Sequence, residues 1–209
     1  MKTIVSPWIN WRVPMRRLKP ALLAMIVALA ACKSNPPPPP ELRDLGFSRA
    51  APLLLSAESI ELVEQYKSPG KAPYVEQDFD VTPASAVREW VAARLRADGT
   101  PGVARVVLLD ARVVREELQL TTGIKDLLAN EQKYRYQGRI HIRIDLQPAT
   151  ATQGPVHVEA ESTGMFTVPE GVTVQNLELE MFDMVQRMID RLDLETQASM
   201  LRHMQGRVR

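Results

Sequence analysis

From residue 132 onward the chain alternates with a period of two. Tyr134, Tyr136, Ile140, Ile142, Ile144 and Leu146 fall on even positions, and Arg135, Gln137, Arg139, His141, Arg143 and Asp145 on odd ones. Successive strand side chains point to opposite faces, so this pattern predicts a strand with one face in the core. After a break at Pro148 to Gly154 the alternation resumes, with Val156, Val158, Ala160 and Phe166 on one side and His157, Glu159, Glu161 and Thr163 on the other. Paired as a hairpin with even sides aligned, the two strands set basic side chains against acidic ones. Arg143 then lies opposite or diagonal to Glu159, and His141 opposite or diagonal to Glu161 or Glu159.

The period then changes. Leu177, Met181, Met184, Val185, Met188, Ile189 and Leu192 recur at helical spacing, interleaved with Glu178, Glu180, Asp183, Arg187, Asp190 and Arg191. Thr173 is a suitable cap, and the pattern predicts a helix from Val174 to about residue 203. At 1.5 Å per residue such a helix reaches roughly 45 Å, so its last turns, with Leu194, Met200, Leu201 and Met204, are expected to extend past a small sheet.

The first half of the domain is read from punctuation. A mixed segment predicts a strand near Leu55 to Gln65, and Pro69, Gly70 and Pro73 mark a connection. Thr82-Pro83 is a cap residue followed by proline, opening a helix expected to run to Gly99. Ala84, Val87, Val91 and Leu95 line one face with Trp90 beside them, and Arg88, Glu89, Arg94, Arg96 and Asp98 are expected to face outward. Val103 to Val114 predicts a strand buried on both faces at its start. Residues 115 to 132 are ambiguous, and a loop with one helical turn is expected. The order β-α-β-β-β-α predicts an α+β two-layer sandwich, two helices on an antiparallel or mixed four-stranded sheet.

Ahead of this domain stands the only long apolar run, Ala21 to Ala31, preceded by Arg16, Arg17 and Lys19. It is far shorter than the ~20 residues a membrane span requires and has the length of a signal-peptide core. It ends in Leu29-Ala30-Ala31-Cys32, and Cys32 is the only cysteine. These residues resemble the lipobox of bacterial lipoproteins. The resemblance implies cleavage before Cys32, diacylglycerol on its thiol, and acylation of the new amino terminus. In such lipoproteins an aspartate after the cysteine marks inner-membrane retention, so Lys33 implies the outer membrane, with the domain facing the periplasm. Met15 with Arg16 and Arg17 would itself be an ordinary start, so Met1 and Met15 both stand as starts of translation. Five prolines, Pro36 to Pro40, follow closely. They favour an extended polyproline conformation and form a stand-off on the order of 15 to 20 Å. The chain thus divides into a leader (1–31), a lipidated cysteine with its tether (32–50), and one periplasmic domain (51–209).

Cleavage also changes the charge. The whole chain has a formal +1, but Lys2, Arg12, Arg16, Arg17 and Lys19 belong to the leader, leaving 21 Lys+Arg against 25 Asp+Glu, a formal −4. A nucleic-acid binder would be clearly basic. A lone cysteine excludes an internal disulfide framework and a multi-cysteine zinc site.

No residue set specifies a reaction. The chain has no Gly-x-Ser-x-Gly, His-Glu-x-x-His, phosphate-loop or dinucleotide motif. His141 and His157, with Glu159 or Glu161, would offer weak surface ligands at most, and no metal or cofactor is expected. Glu159 and Glu161 beside arginines read as ordinary ionised acids. Leu179 and Phe182 lie off the last helix's apolar stripe and, with Leu201, are candidate partner contacts. The lipobox, tether and element order are similar to the auxiliary lipoproteins of ABC lipid-export systems and to the lipopolysaccharide-assembly lipoprotein that plugs an outer-membrane barrel. That likeness implies a non-catalytic, lipid-anchored adaptor with an envelope protein partner. A periplasmic carrier of lipid or another apolar ligand is the alternative, requiring a cavity between sheet and helices, and an uncharacterised enzyme is the third.

Overall fold

The computed structural model describes residues 45–47, 51–119, 132–149 and 154–208. The lipobox residues, Lys33, the proline tether and most of the ambiguous 115–132 segment lie outside them. The chain divides into two compact units, Met1–Arg43 and Asp44–Arg209, and the described residues all belong to the second.

Its strands are β1 (Leu53–Leu55), β2 (Ser59–Glu64), β3 (Leu95–Ala97), β4 (Gly102–Asp110), β5 (Val113–Glu117), β6 (Gln132–Pro148) and β7 (Val156–Pro169). The α-helices among the described residues are α1 (Pro83–Arg94) and α2 (Val174–His203). The main sheet is mixed: β2 runs parallel to β4, and every pairing to β6 is antiparallel. Strand β6 is the spine. Along one edge its second half pairs with β4 and its first half with β5, while β7 follows its other edge from Leu146↔Val156 to Gln132↔Pro169. Strands β4 and β5 therefore share one column, broken by the register shift after Leu108. Five strands fill four columns, matching the two-layer α+β arrangement read from the sequence.

Both helices lie on the even-numbered face of β6. Ile140, Ile142, Ile144 and Leu146 are buried there with Trp90, Met184, Met188 and Ile189. Tyr136 stacks on Phe166, its register partner, with ring centroids 4.6 Å apart. The side chain of Thr82 caps α1 by accepting from the Ser85 amide at 3.0 Å, and that of Thr173 caps α2 by accepting from the Asn176 amide at 3.3 Å.

Five expectations need correction, the first being that the strand expected over Val103 to Val114 is two, β4 and β5, with β5 running on to Glu117 where a loop was expected. Helix α1 stops at Arg94 rather than Gly99, because Leu95 turns into the core and β3 pairs in parallel with β1. The strand expected over Leu55 to Gln65 is two strands; Leu55 belongs to the small β1–β3 sheet and the main-sheet strand starts at Ser59. Arg94 does not face outward. Only 3% exposed, it donates from Nε and Nη2 to Asp193 on α2 at 2.9 and 3.1 Å, and to the Ala51 carbonyl. Finally, the end of α2 does not leave the core. Met200 and Met204 are buried, the Ser56 amide donates to the Arg207 carbonyl, and Val208 bridges to Leu55.

Candidate functional site

Neither described α-helix lies on the odd-numbered face of the sheet. Its orientation follows from Gly138 and Gly164, register partners on β6 and β7. A Cβ on Gly138 would stand 2.7 Å from the Met188 sulfur, and one on Gly164 would stand 2.7 Å from Met188 Cγ and 2.8 Å from Met184 Cγ. Both glycines thus face α2, so their neighbours Gln137, Arg139, Thr163 and Met165 face away from it. The charged register read from the sequence lies on this face. Arg143 pairs with Glu159 and His141 with Glu161 along the backbone, while the side chains bond diagonally. His141 Nε2 lies 3.0 Å from Glu159 Oε2, and Arg139 reaches both oxygens of Glu161 at 2.8 and 2.7 Å. The hydrogen bond from Arg139 holds the Glu161 carboxyl below its ordinary range and raises the guanidinium in turn. Arg143 turns instead to Asp145, at 3.1 Å.

At the β5 end this face hollows into a trough of about 690 Å³. Val114, Gln137 and Met165 form one row of its floor, and Tyr74, whose backbone bridges to Val114, stands at the margin. Four arginines line it. Arg112 and Arg139 come from the sheet side and share Asp110, at 3.0 and 3.5 Å. Arg187 and Arg191 come from α2. The paired glycines let α2 sit close on β6 and β7, and Arg191 reaches past the β7 edge to donate to the Thr163 carbonyl at 2.9 Å. Arg187 is exposed and has no hydrogen bond or ion pair with any described residue.

A second polar cluster sits beneath β5. Glu76, 4% exposed, accepts from the Tyr66 hydroxyl at 2.5 Å and from the Val113 amide at 3.2 Å. Burial pushes its carboxyl up, but hydrogen bonds from Ser68, Tyr66, its own amide and Val113 prevail and hold it below the ordinary range. Burial and the bond to Glu76 push the Tyr66 hydroxyl up. Such a saturated carboxylate is a structural anchor for the loop over β5.

No family model and no curated protein matches this chain. Among solved structures it is similar to rare lipoprotein B of Shewanella oneidensis, at 12% identity and a TM-score of 0.35, covering 69% of this chain and 97% of that one. A minor lipoprotein of Acinetobacter baumannii gives 12% and 0.33, over 71% and 96%. An uncharacterised lipoprotein B of Nitrosomonas europaea gives 13% and 0.30, over 71% and 86%. All three are described as lipoproteins, and at these scores no residue role passes from them to this chain.

Of the partner contacts read from the sequence, Leu179 and Leu201 are 39% and 59% exposed, on different parts of α2. Leu201 shares its helix face with Leu194, 66% exposed, seven residues earlier. Phe182 is half-buried and packs against the core, so it is a poorer contact than its place off the stripe implied. His141 and His157 are not brought together: they pair with Glu161 and Asp145, four residues apart along β6. Among the described residues no group of three or more His, Cys, Asp or Glu is placed to hold a metal ion. The trough was missed because its arginines come from three distant segments. The only available signal was their placement, Arg139 on an outward strand position and Arg187 and Arg191 four apart on one helix flank.

Proposed function

We propose that this chain is a lipid-anchored envelope lipoprotein whose domain is a non-catalytic binding module, held off the outer membrane by its proline tether and facing the periplasm. The carrying observation is the asymmetry of the sandwich. Both helices cover one sheet face, and the other presents a trough whose side chains come from β5, β6, β7 and α2. Elements fixed by a packed core hold that surface in place, as a recognition site requires. Leu29, Ala30 and Ala31 form the cleavage site, Cys32 is the lipidated residue, and Lys33 directs sorting. In this reading attachment is through Cys32; no helix among the described residues is long and apolar enough to cross a membrane.

The test is metabolic labelling with palmitate in wild type and Cys32→Ala. Label on the wild-type protein alone, with loss of the variant from the membrane fraction, is expected. Equal labelling of both removes the anchor from the reading. The carrier alternative is less well supported, because the space it needs between sheet and helices is filled by Trp90, Met184 and Met188, each fully buried. An envelope protein partner would engage Leu194 and Leu201 on α2. Photocrosslinking from Leu201, with Glu89 on α1 as a control position, tests that contact; equal capture from both positions counts against it.

A further inference from the structure

We propose that the arginine trough binds a phosphate ester, with Arg187 and Arg191 as its principal ligands. The inference rests on the domain being a binding module and names what it binds. The mature chain is formally acidic, 21 Lys+Arg against 25 Asp+Glu, yet four guanidinium groups converge on one depression. Their acidic neighbours only partly offset them. Asp110 is shared between Arg112 and Arg139, and Glu161 engages Arg139. Arg191 is bonded to a neutral carbonyl, and Arg187 has no partner among the described residues. Glu195 and Glu159 stand with Arg191 around the adjoining depression, so the excess of positive charge is confined to the trough.

Geometry selects the kind of anion. A carboxylate is planar, and a single guanidinium fork matches both of its oxygens. Here forks arrive from opposite sides, Arg112 and Arg139 from the sheet and Arg187 and Arg191 over the β7 edge, which suits the several oxygens of a tetrahedral group. The volume, about 690 Å³, lies in the range of organic-ligand pockets and leaves room beside a bare ion. Met165, 59% exposed, and Val114 supply apolar contact for the organic part of an ester. The same chemistry describes free phosphate and a phospholipid headgroup, so the test separates them.

The experiment is calorimetric titration of the full chain, purified in a neutral detergent, with glycerol 3-phosphate, inorganic phosphate and acetate. Saturable binding of glycerol 3-phosphate is expected, weakened about tenfold or more in Arg187→Gln and unchanged in Arg88→Gln, whose side chain pairs with Glu64 at the surface. Tighter binding of the ester than of inorganic phosphate supports the proposal; inorganic phosphate binding as tightly as the ester assigns the site to the free ion and overturns it. Absence of saturable binding by either phosphate, binding of acetate as tight as theirs, or full retention in Arg187→Gln overturns the proposal. Arg187 contributes no bond to the described fold, so an unchanged thermal midpoint in Arg187→Gln shows that any loss is local. Failure here leaves the palmitate and crosslinking results untouched, so the binding-module reading is judged separately.

Discussion

Arg94 and Asp193, 99 residues apart, form a two-pronged ion pair that joins the two helices. Trp90, one turn before Arg94, donates from Nε1 to the same Asp193 oxygen at 2.8 Å. The Arg94 side chain is 4% exposed and that of Asp193 17%. Removing the carboxylate strands a buried cation and an indole N–H together, which costs far more than the pair contributes. Asp193→Ala is therefore expected to lower stability by about 3 to 5 kcal/mol, measured by urea unfolding. A change below about 0.5 kcal/mol, the range of ordinary surface substitutions, would show that the pair is not closed in solution.

Glu76 gives the fold an acid-sensitive point. Its folded carboxyl sits below the ordinary unfolded value of about 4.3. The ionised group therefore adds stability that is fully present above that value and is lost as pH falls through the lower folded one. Glu76→Gln should be less stable than wild type at neutral pH, and the gap should close as the solution is acidified below about pH 4. Urea midpoints of both proteins across the range provide the check, and a gap independent of pH would assign the effect to packing.

The glycine pair sets the spacing between sheet and helix. Gly164→Ala puts a methyl group against the Cγ atoms of Met184 and Met188, near the roots of those side chains where little can yield. Overpacking of this kind costs about 1 to 3 kcal/mol. The cost should shrink in a Met188→Ala background, where the added carbon has room, so the two substitutions combine at less than their sum. Strict additivity in a double-mutant cycle would mean that the helix does not rest on Gly164.

The end of α2 and its cap hold neighbours with opposite roles. Met204 is 1% exposed and Leu201 is 59% exposed. Truncating the first leaves a cavity in the core, and Met204→Ala should cost about 2 to 5 kcal/mol. Leu201→Ala should stay within about 0.5 kcal/mol. Thermal unfolding of the two variants distinguishes them, and similar midpoints would restore the picture of a helix end projecting into solvent.

What the sequence revealed and what it hid divide along physical lines. The β6–β7 hairpin was legible to within two residues of its register because Tyr134 to Leu146 alternate without a break except Gly138, and the complementary charges of His141, Arg143, Glu159 and Glu161 admit few alignments. Helix α2 was legible from Thr173 onward because its stripe persists for seven apolar positions. Arg94 was misread because helical spacing reports which face a residue occupies but not whether a distant acid awaits it there. The end of α1 was misread for a related reason. Leu95 fits the helical stripe, and only β1, more than forty residues earlier, draws it into a strand. The arginine trough needed both the sheet register and the close seating of α2, and neither is a local property.

The bond from Arg191 to Thr163 has a consequence for self-association. Strand β7 runs fourteen residues and, among the described residues, pairs on one edge only, so its outer backbone is a template on which an identical strand from another molecule could assemble, the first step toward a cross-β stack. A guanidinium seated on an outward carbonyl near the middle of that edge denies an incoming strand one of its hydrogen bonds and confronts it with a charge. Molecules tethered by one end to a common surface would meet edge to edge often, and this cation would keep such meetings brief.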